Sequence, residues 1–182
     1  AKGGGAGGGI FVNLIIQLCH SAKFMMPALC MKNINDKRLN LTERVLLCQN
    51  SDSDAPIECY ISISNIIKDR SKVIEFCRSK EDANSLQHSI SSSKAAQCVV
   101  LAPSKLSDEE KLNACSAASS SAPGECLQRA MASNIPKKYH IQLCRQTNSS
   151  TGPANCFSVT TGDINGLKKA KLCARATSEA PA

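Results

Sequence analysis

The side chains with most chemistry available to them in this sequence are its 11 cysteines, spread through 182 residues. A thiolate can act as a nucleophile, ligate zinc or enter a disulfide, and spacing separates these uses. Leading cysteines stand at Cys19, Cys48, Cys77, Cys115, Cys144 and Cys173, separated by 29, 29, 38, 29 and 29 positions. Trailing cysteines follow at Cys30, Cys59, Cys98, Cys126 and Cys156. The sequence has no CxxC, and His20, His88 and His140 do not recur with the period, so the close-paired ligands of a zinc module are missing. GxSxG, HExxH and P-loop signatures are also absent, and no histidine recurs beside a candidate nucleophile. The expectation is a non-enzyme with no cofactor and no metal, its cysteines structural and oxidised, in a secreted chain.

Pairing has two regular solutions. One joins Cys19-Cys30, Cys48-Cys59, Cys77-Cys98, Cys115-Cys126 and Cys144-Cys156, and sends Cys173 to a cysteine outside the segment. The other joins Cys30-Cys48, Cys59-Cys77, Cys98-Cys115, Cys126-Cys144 and Cys156-Cys173, and leaves Cys19. The first is expected, because a bridge at the base of a connector tolerates the connector's variable length. The terminal SEAPA repeats the SSAPGE lead-in, which would put the next cysteine at about position 184 of a longer array. Closing each loop of about 10 residues is worth about 2–3 kcal/mol.

The elements that must position these cysteines are short helices. Asn40-x-x-Glu43 and Ser107-x-x-Glu110 are capping boxes ahead of Cys48 and Cys115. Pro27, Pro56, Pro123 and Pro153 each precede a trailing cysteine by three residues, where proline suits the start of a second helix, and Glu58 and Glu125 suit its first turn. Polar connectors such as NSDSDA, SAASSSA and QTNSSTG have no apolar anchor and read as exposed loops. The longer Cys77–Cys98 stretch holds an insertion of nine residues, and Ala95 stands there in place of the proline. Self-similarity at this period implies an all-α fold: a disulfide-laddered α-solenoid of about six two-helix repeats of 29 residues, with its cysteines near one edge. The repeats run over about 10–38, 39–67, 68–105, 106–134, 135–163 and a partial 164–182, behind a Gly-rich lead-in at 1–9.

Outside that framework, little speaks for other classes. The G-x-G-x-x-G at Gly3, Gly5 and Gly8 follows no strand and reads as low-complexity sequence. The apolar run Ile10–Leu18 is about half a membrane span, so no span is expected. A net charge of +7, with Lys137-Lys138 and Lys168-Lys169-Lys171, suits anionic glycans or a polyanionic matrix better than nucleic acid, since only six residues are Phe or Tyr and none is Trp. Asn148-Ser149-Ser150 and Asn40-Leu41-Thr42 are glycosylation sequons, the first in a connector, the second sharing Asn40 with a helix N-cap. The hydroxyls of Ser119–Ser121, Ser91–Ser93 and the Thr147–Thr151 stretch are O-glycan candidates.

The unit L-C-x-x-x-x-S-x-x-P-x-x-C, seen at Leu47–Cys59 and with one extra residue at Leu143–Cys156, resembles the cysteine repeats of large secreted proteins of algae and other protists. It is similar in style to subunits of glycosylated extracellular filaments and mastigoneme-like appendages. The resemblance covers roughly residues 14–182 and implies a structural role: forming or decorating an extracellular fibre, with further repeats or copies of itself and covalent glycans as partners. The alternative is a secreted adhesion or ligand-binding solenoid. A secreted thiol enzyme or redox protein comes third.

Overall fold

A computed structural model describes residues 6–20, 25–78, 88–162 and 164–178. Among these residues the chain is all-helical, with eleven helices: α1 (Ala6–Cys19), α2 (Met26–Asn33), α3 (Leu41–Cys48), α4 (Ala55–Ile63), α5 (Arg70–Cys77), α6 (His88–Leu101), α7 (Asp108–Cys115), α8 (Ala122–Ala132), α9 (Lys137–Cys144), α10 (Gly152–Val159) and α11 (Gly166–Cys173). Every odd-numbered helix ends on a leading cysteine, and every even-numbered one carries a trailing cysteine. The Gly-rich lead-in is shorter than expected, because α1 takes in Gly7 to Gly9; Gly3 and Gly5 lie outside the described residues.

Local sequence sets the boundaries. Asn40 and Ser107 accept the backbone N–H of Glu43 and Glu110, and each glutamate accepts the cap residue's N–H in return, so two orphan donors are satisfied at each start. In α2, α4, α8 and α10 the proline is the second helical residue, one position later than the sequence suggests, and it puts the cysteine in the fifth. There its missing N–H costs nothing. α6 lacks that proline, and with Ala95 in its place the helix runs on toward the N-terminus to His88, leaving Cys98 eleventh. Part of the insertion is therefore helix rather than connector. Odd helices stop at a sharp reversal: after Cys48 and Cys144 the chain turns through Asn50 (φ 60°) and Gln146 (φ 61°). Asparagine tolerates that left-handed backbone better than glutamine does.

The helices stack in two layers. Odd helices touch odd ones (α1–α3–α5 and α7–α9–α11), and even helices touch even ones from α2 through α10. Each even helix also packs on the odd helix that follows it, and the core lies between the layers, where Val45, Leu47, Ile63, Val73, Val99, Leu127 and Leu143 surround the half-cystines. This is a disulfide-laddered helical solenoid.

The disulfides overturn the expected pairing. They join Cys30–Cys48, Cys59–Cys77, Cys98–Cys115, Cys126–Cys144 and Cys156–Cys173, while Cys19 is free and exposed. None of Cys19-Cys30, Cys48-Cys59, Cys77-Cys98, Cys115-Cys126 or Cys144-Cys156 forms, and Cys173 needs no outside partner. Antiparallel hairpin geometry is the reason. The cysteine of an even helix lies level with the last residue of the odd helix that returns beside it, and the bridged Cα atoms are 5.5 or 5.6 Å apart. The connector instead carries the chain to the next hairpin, one helix spacing of about 8–10 Å along the stack, beyond the roughly 7 Å that a disulfide spans.

Connectors are not free loops either. The third residue after the leading cysteine is small and buried in each described case, as Ser51, Ala118, Thr147 and Ala176, with its N–H bonded to that cysteine's carbonyl. Thr147 also uses its hydroxyl on the Ser149 backbone, which removes it from the O-glycan candidates.

Candidate functional site

Counting from each leading cysteine makes the repeats comparable, position by position. Three residues before it stand Ile16, Val45, Ile74, Leu112, Ile141 and Ala170, an apolar set. Val45 is 2% exposed, but Ile16 on α1 is 57% exposed, and Ile15 and Val12 are open beside it. No even helix is stapled to α1 among the described residues, so its thiol is exposed where the other five leading sulfurs are fully buried. One residue before the cysteine the asymmetry reverses. Leu47 and Leu143 are 0% exposed beneath the next repeat, whereas Leu172 on α11 is 45% exposed. The solenoid thus presents two unlike apolar faces, one at α1 and one at α11.

A second periodic feature sits on the seams between odd helices. The capping-box carboxylate of one helix, five residues before its cysteine, meets the first residue of the next odd helix, 27 positions on: Arg70 Nε lies 2.9 Å from Glu43 Oε1, and Lys137 Nζ lies 3.1 Å from Glu110 Oε1. Each glutamate therefore closes its own cap and also fixes the neighbour. The Ser107 N–H, and after it Lys137, holds the Glu110 carboxyl below the usual carboxylate range. At the α9–α11 seam the same two positions hold Tyr139 and Gly166, and a side chain at 166 would run into the Tyr139 ring. There a ring against a bare backbone replaces the ion pair. Arg70 also donates to the Arg38 carbonyl, tying the α2–α3 turn to α5.

The sequons occupy different settings. Asn148 is exposed on the QTNSSTG connector, where its side-chain oxygen accepts the hydroxyl of Ser119, the equivalent residue one repeat earlier. Asn40 caps α3 through its Oδ1 and is also exposed. In both, the bonded atom is the oxygen, and glycosylation needs the nitrogen.

The basic clusters are partly spent inside the fold. Besides the Lys137–Glu110 pair, Lys138 lies 5.0 Å from the Tyr139 ring centroid and Lys169 lies 4.7 Å from that of Phe157. Of the histidines, His140 is buried, with Nε2 2.6 Å from the Ile135 carbonyl oxygen. Arg44, its counterpart on α3, donates Nε to Leu39 O in the same register, so this position fastens the turn. Among the described residues no group of three His, Cys, Asp or Glu could hold a metal ion, and no helix is long and apolar enough to cross a membrane. Five disulfides belong to an oxidising compartment. No protein-family profile, curated protein or solved structure matches this chain.

Proposed function

We propose that this chain is a non-enzymatic structural unit, a stapled solenoid that forms or decorates a glycosylated extracellular fibre. One observation carries the reading: positions buried in interior repeats are open on α1 and on α11, as Ile16 against Val45 and Leu172 against Leu47 display. A solenoid repeat hides its apolar face only against a neighbour, so both faces call for further units of the same kind. Its covalent framework suits a fibre, because each staple closes within one hairpin and leaves the seams between hairpins to packing and to pairs such as Glu43–Arg70. In this reading Cys19 takes the role first given to Cys173: the thiol that a neighbouring unit's even-type helix would bridge. Glycans on Asn148 and Asn40 would project from connector and cap without entering the core.

Electron microscopy and light scattering of unreduced native protein test the assembly, and peptide mapping without reduction tests the junction. The expected result is extended particles that resist dilution, with Cys19 linked to a cysteine not among the ten already paired. A monodisperse monomer with a free Cys19 thiol at high concentration would sink the fibre reading. Mass spectrometry of the Cys144–Cys156 region tests the glycan, and an unmodified Asn148 in native material counts against it.

A further inference from the structure

The C-terminal ends of α9 and α11 enclose an open bay of about 530 Å³. Arg145, Lys171 and Arg175 line it, with the amides of Gln142 and Gln146 and the apolar Leu172; among the described residues no carboxylate does. None of the three cations has an ion-pair or hydrogen-bond partner among the described residues, in contrast to Arg70 and Lys137. The concentration is local. Between residues 135 and 178 seven Lys and Arg stand against one acid, Asp163, which accounts for most of the chain's excess positive charge.

The repeats supply an internal control. Arg145 follows its leading cysteine by one position, and Lys171 and Arg175 flank theirs at two before and two after. At the α7–α9 seam those positions hold Ser116, Gln142 and Gln146, and at α3–α5 the sequence has Gln49, Glu75 and Ser79. Cations at helix C-termini are favoured by the helix dipole. That does not explain the bay, since α7 ends with no basic residue in its last turn and α5 carries Glu75 in its own. Nothing in the fold requires three positive charges here.

We propose that this bay is a binding site for an acidic polysaccharide, one whose sugars carry sulfate or carboxylate groups. Two guanidinium groups offer planar forks that match sulfate and carboxylate oxygens two at a time, and the ammonium of Lys171 adds a point charge. Gln142 and Gln146 provide donors and acceptors for sugar hydroxyls. The bay has no aromatic side chain on which a base would stack, which separates this ligand from single-stranded nucleic acid. Asn148, two residues past Gln146, is turned toward Ser119 and the preceding repeat, so its glycan leaves the bay open. Leu172 also belongs to the open α11 face, so the bay is a site of a free α11 end.

The test is titration of the purified, disulfide-intact chain with a fluorescent heparin-derived octasaccharide, across a range of salt concentrations. The double variant R145Q/R175Q should weaken binding by about tenfold or more and release about two fewer counterions. The charge-matched K68Q/K105Q, on the distant α4–α5 and α6–α7 turns, should stay within about twofold of the parent. All four side chains are exposed, and an unchanged disulfide map with unchanged circular dichroism certifies the fold of each variant. Equal losses in both double variants would reduce the effect to net charge and overturn the site. So would absence of binding by the parent, or tighter binding of a single-stranded oligonucleotide with the same sensitivity to R145Q/R175Q.

Discussion

α1 and α3 are near-equivalent helices in different company. Both end on a leading cysteine and both carry a β-branched aliphatic residue three positions before it, yet Ile16 and Cys19 are exposed where Val45 and Cys48 are buried. What α3 has is α2, stapled to it by Cys30–Cys48. The difference identifies the folding unit: a hairpin of an even helix and the odd helix after it, rather than the leading-to-trailing segment that the cysteine period suggests.

The hairpin's staple should give the largest effect. Replacing both Cys126 and Cys144 by Ser opens a loop of 18 residues and should cost about 3 kcal/mol in denaturant unfolding, whereas C19S should be neutral. Comparable losses from the two would erase the distinction between stapled and unstapled helices. Next come the matched truncations. V45A should cost about 2 kcal/mol, but I16A less than about 0.5 kcal/mol, because only the first deletes a buried side chain. Gly124 extends the comparison to the even layer. A Cβ there would overlap the Cys98 carbonyl oxygen of α6, so G124A should cost roughly 1–3 kcal/mol although alanine is the better helix former.

Smaller effects sharpen the contrast between seams. E110A loses a cap and the Lys137 pair together and should cost about 1 kcal/mol, with faster amide exchange at the start of α7 and across the α7–α9 seam. Acid should act more weakly, at the α2–α3 turn as well as at this seam. The Arg38 side chain, then its N–H, takes Asp36 from 3.8 down to about 2, and Ser107 and Lys137 lower Glu110. Groups depressed on folding contribute stability above their unfolded pKa and lose it as pH falls through the folded one. Stability should therefore drop by a few tenths of a kcal/mol per exposed pair between about pH 4 and pH 2. Amide exchange should loosen the α7–α9 seam ahead of α9–α11, where Tyr139 and Gly166 replace the ions. Uniform loosening would show that these pairs do not hold the seams.

How much was legible in the sequence follows from these same residues. The period announced the solenoid. Asn40, Ser107 and the prolines marked where helices begin, because cap chemistry and proline sterics act within one turn and need no tertiary context. The anchors at Ser51, Ala118, Thr147 and Ala176 could have been found by aligning the connectors, which are small at that one position everywhere but at Lys80 of the stretch with the insertion. The bay could not be found by scanning for clusters, since Arg145 and Arg175 are 30 residues apart and only stacking of adjacent repeats brings them to one opening.

The sequence by itself determined the repeat, the helix starts at the two capping boxes and, to within one position, at the four prolines, and the need for pairing among an odd number of thiols. It could not determine the register, because each interior cysteine has a neighbour on either side at a distance along the chain that a disulfide tolerates. Tertiary structure decided it. The antiparallel return of an odd helix brings one of those neighbours to a Cα distance of 5.5 Å, and the connector carries the other to the next hairpin. The same step decided that the open thiol is Cys19 rather than Cys173, because α11 packs against the α10 that holds Cys156, and α1 has no such partner among the described residues.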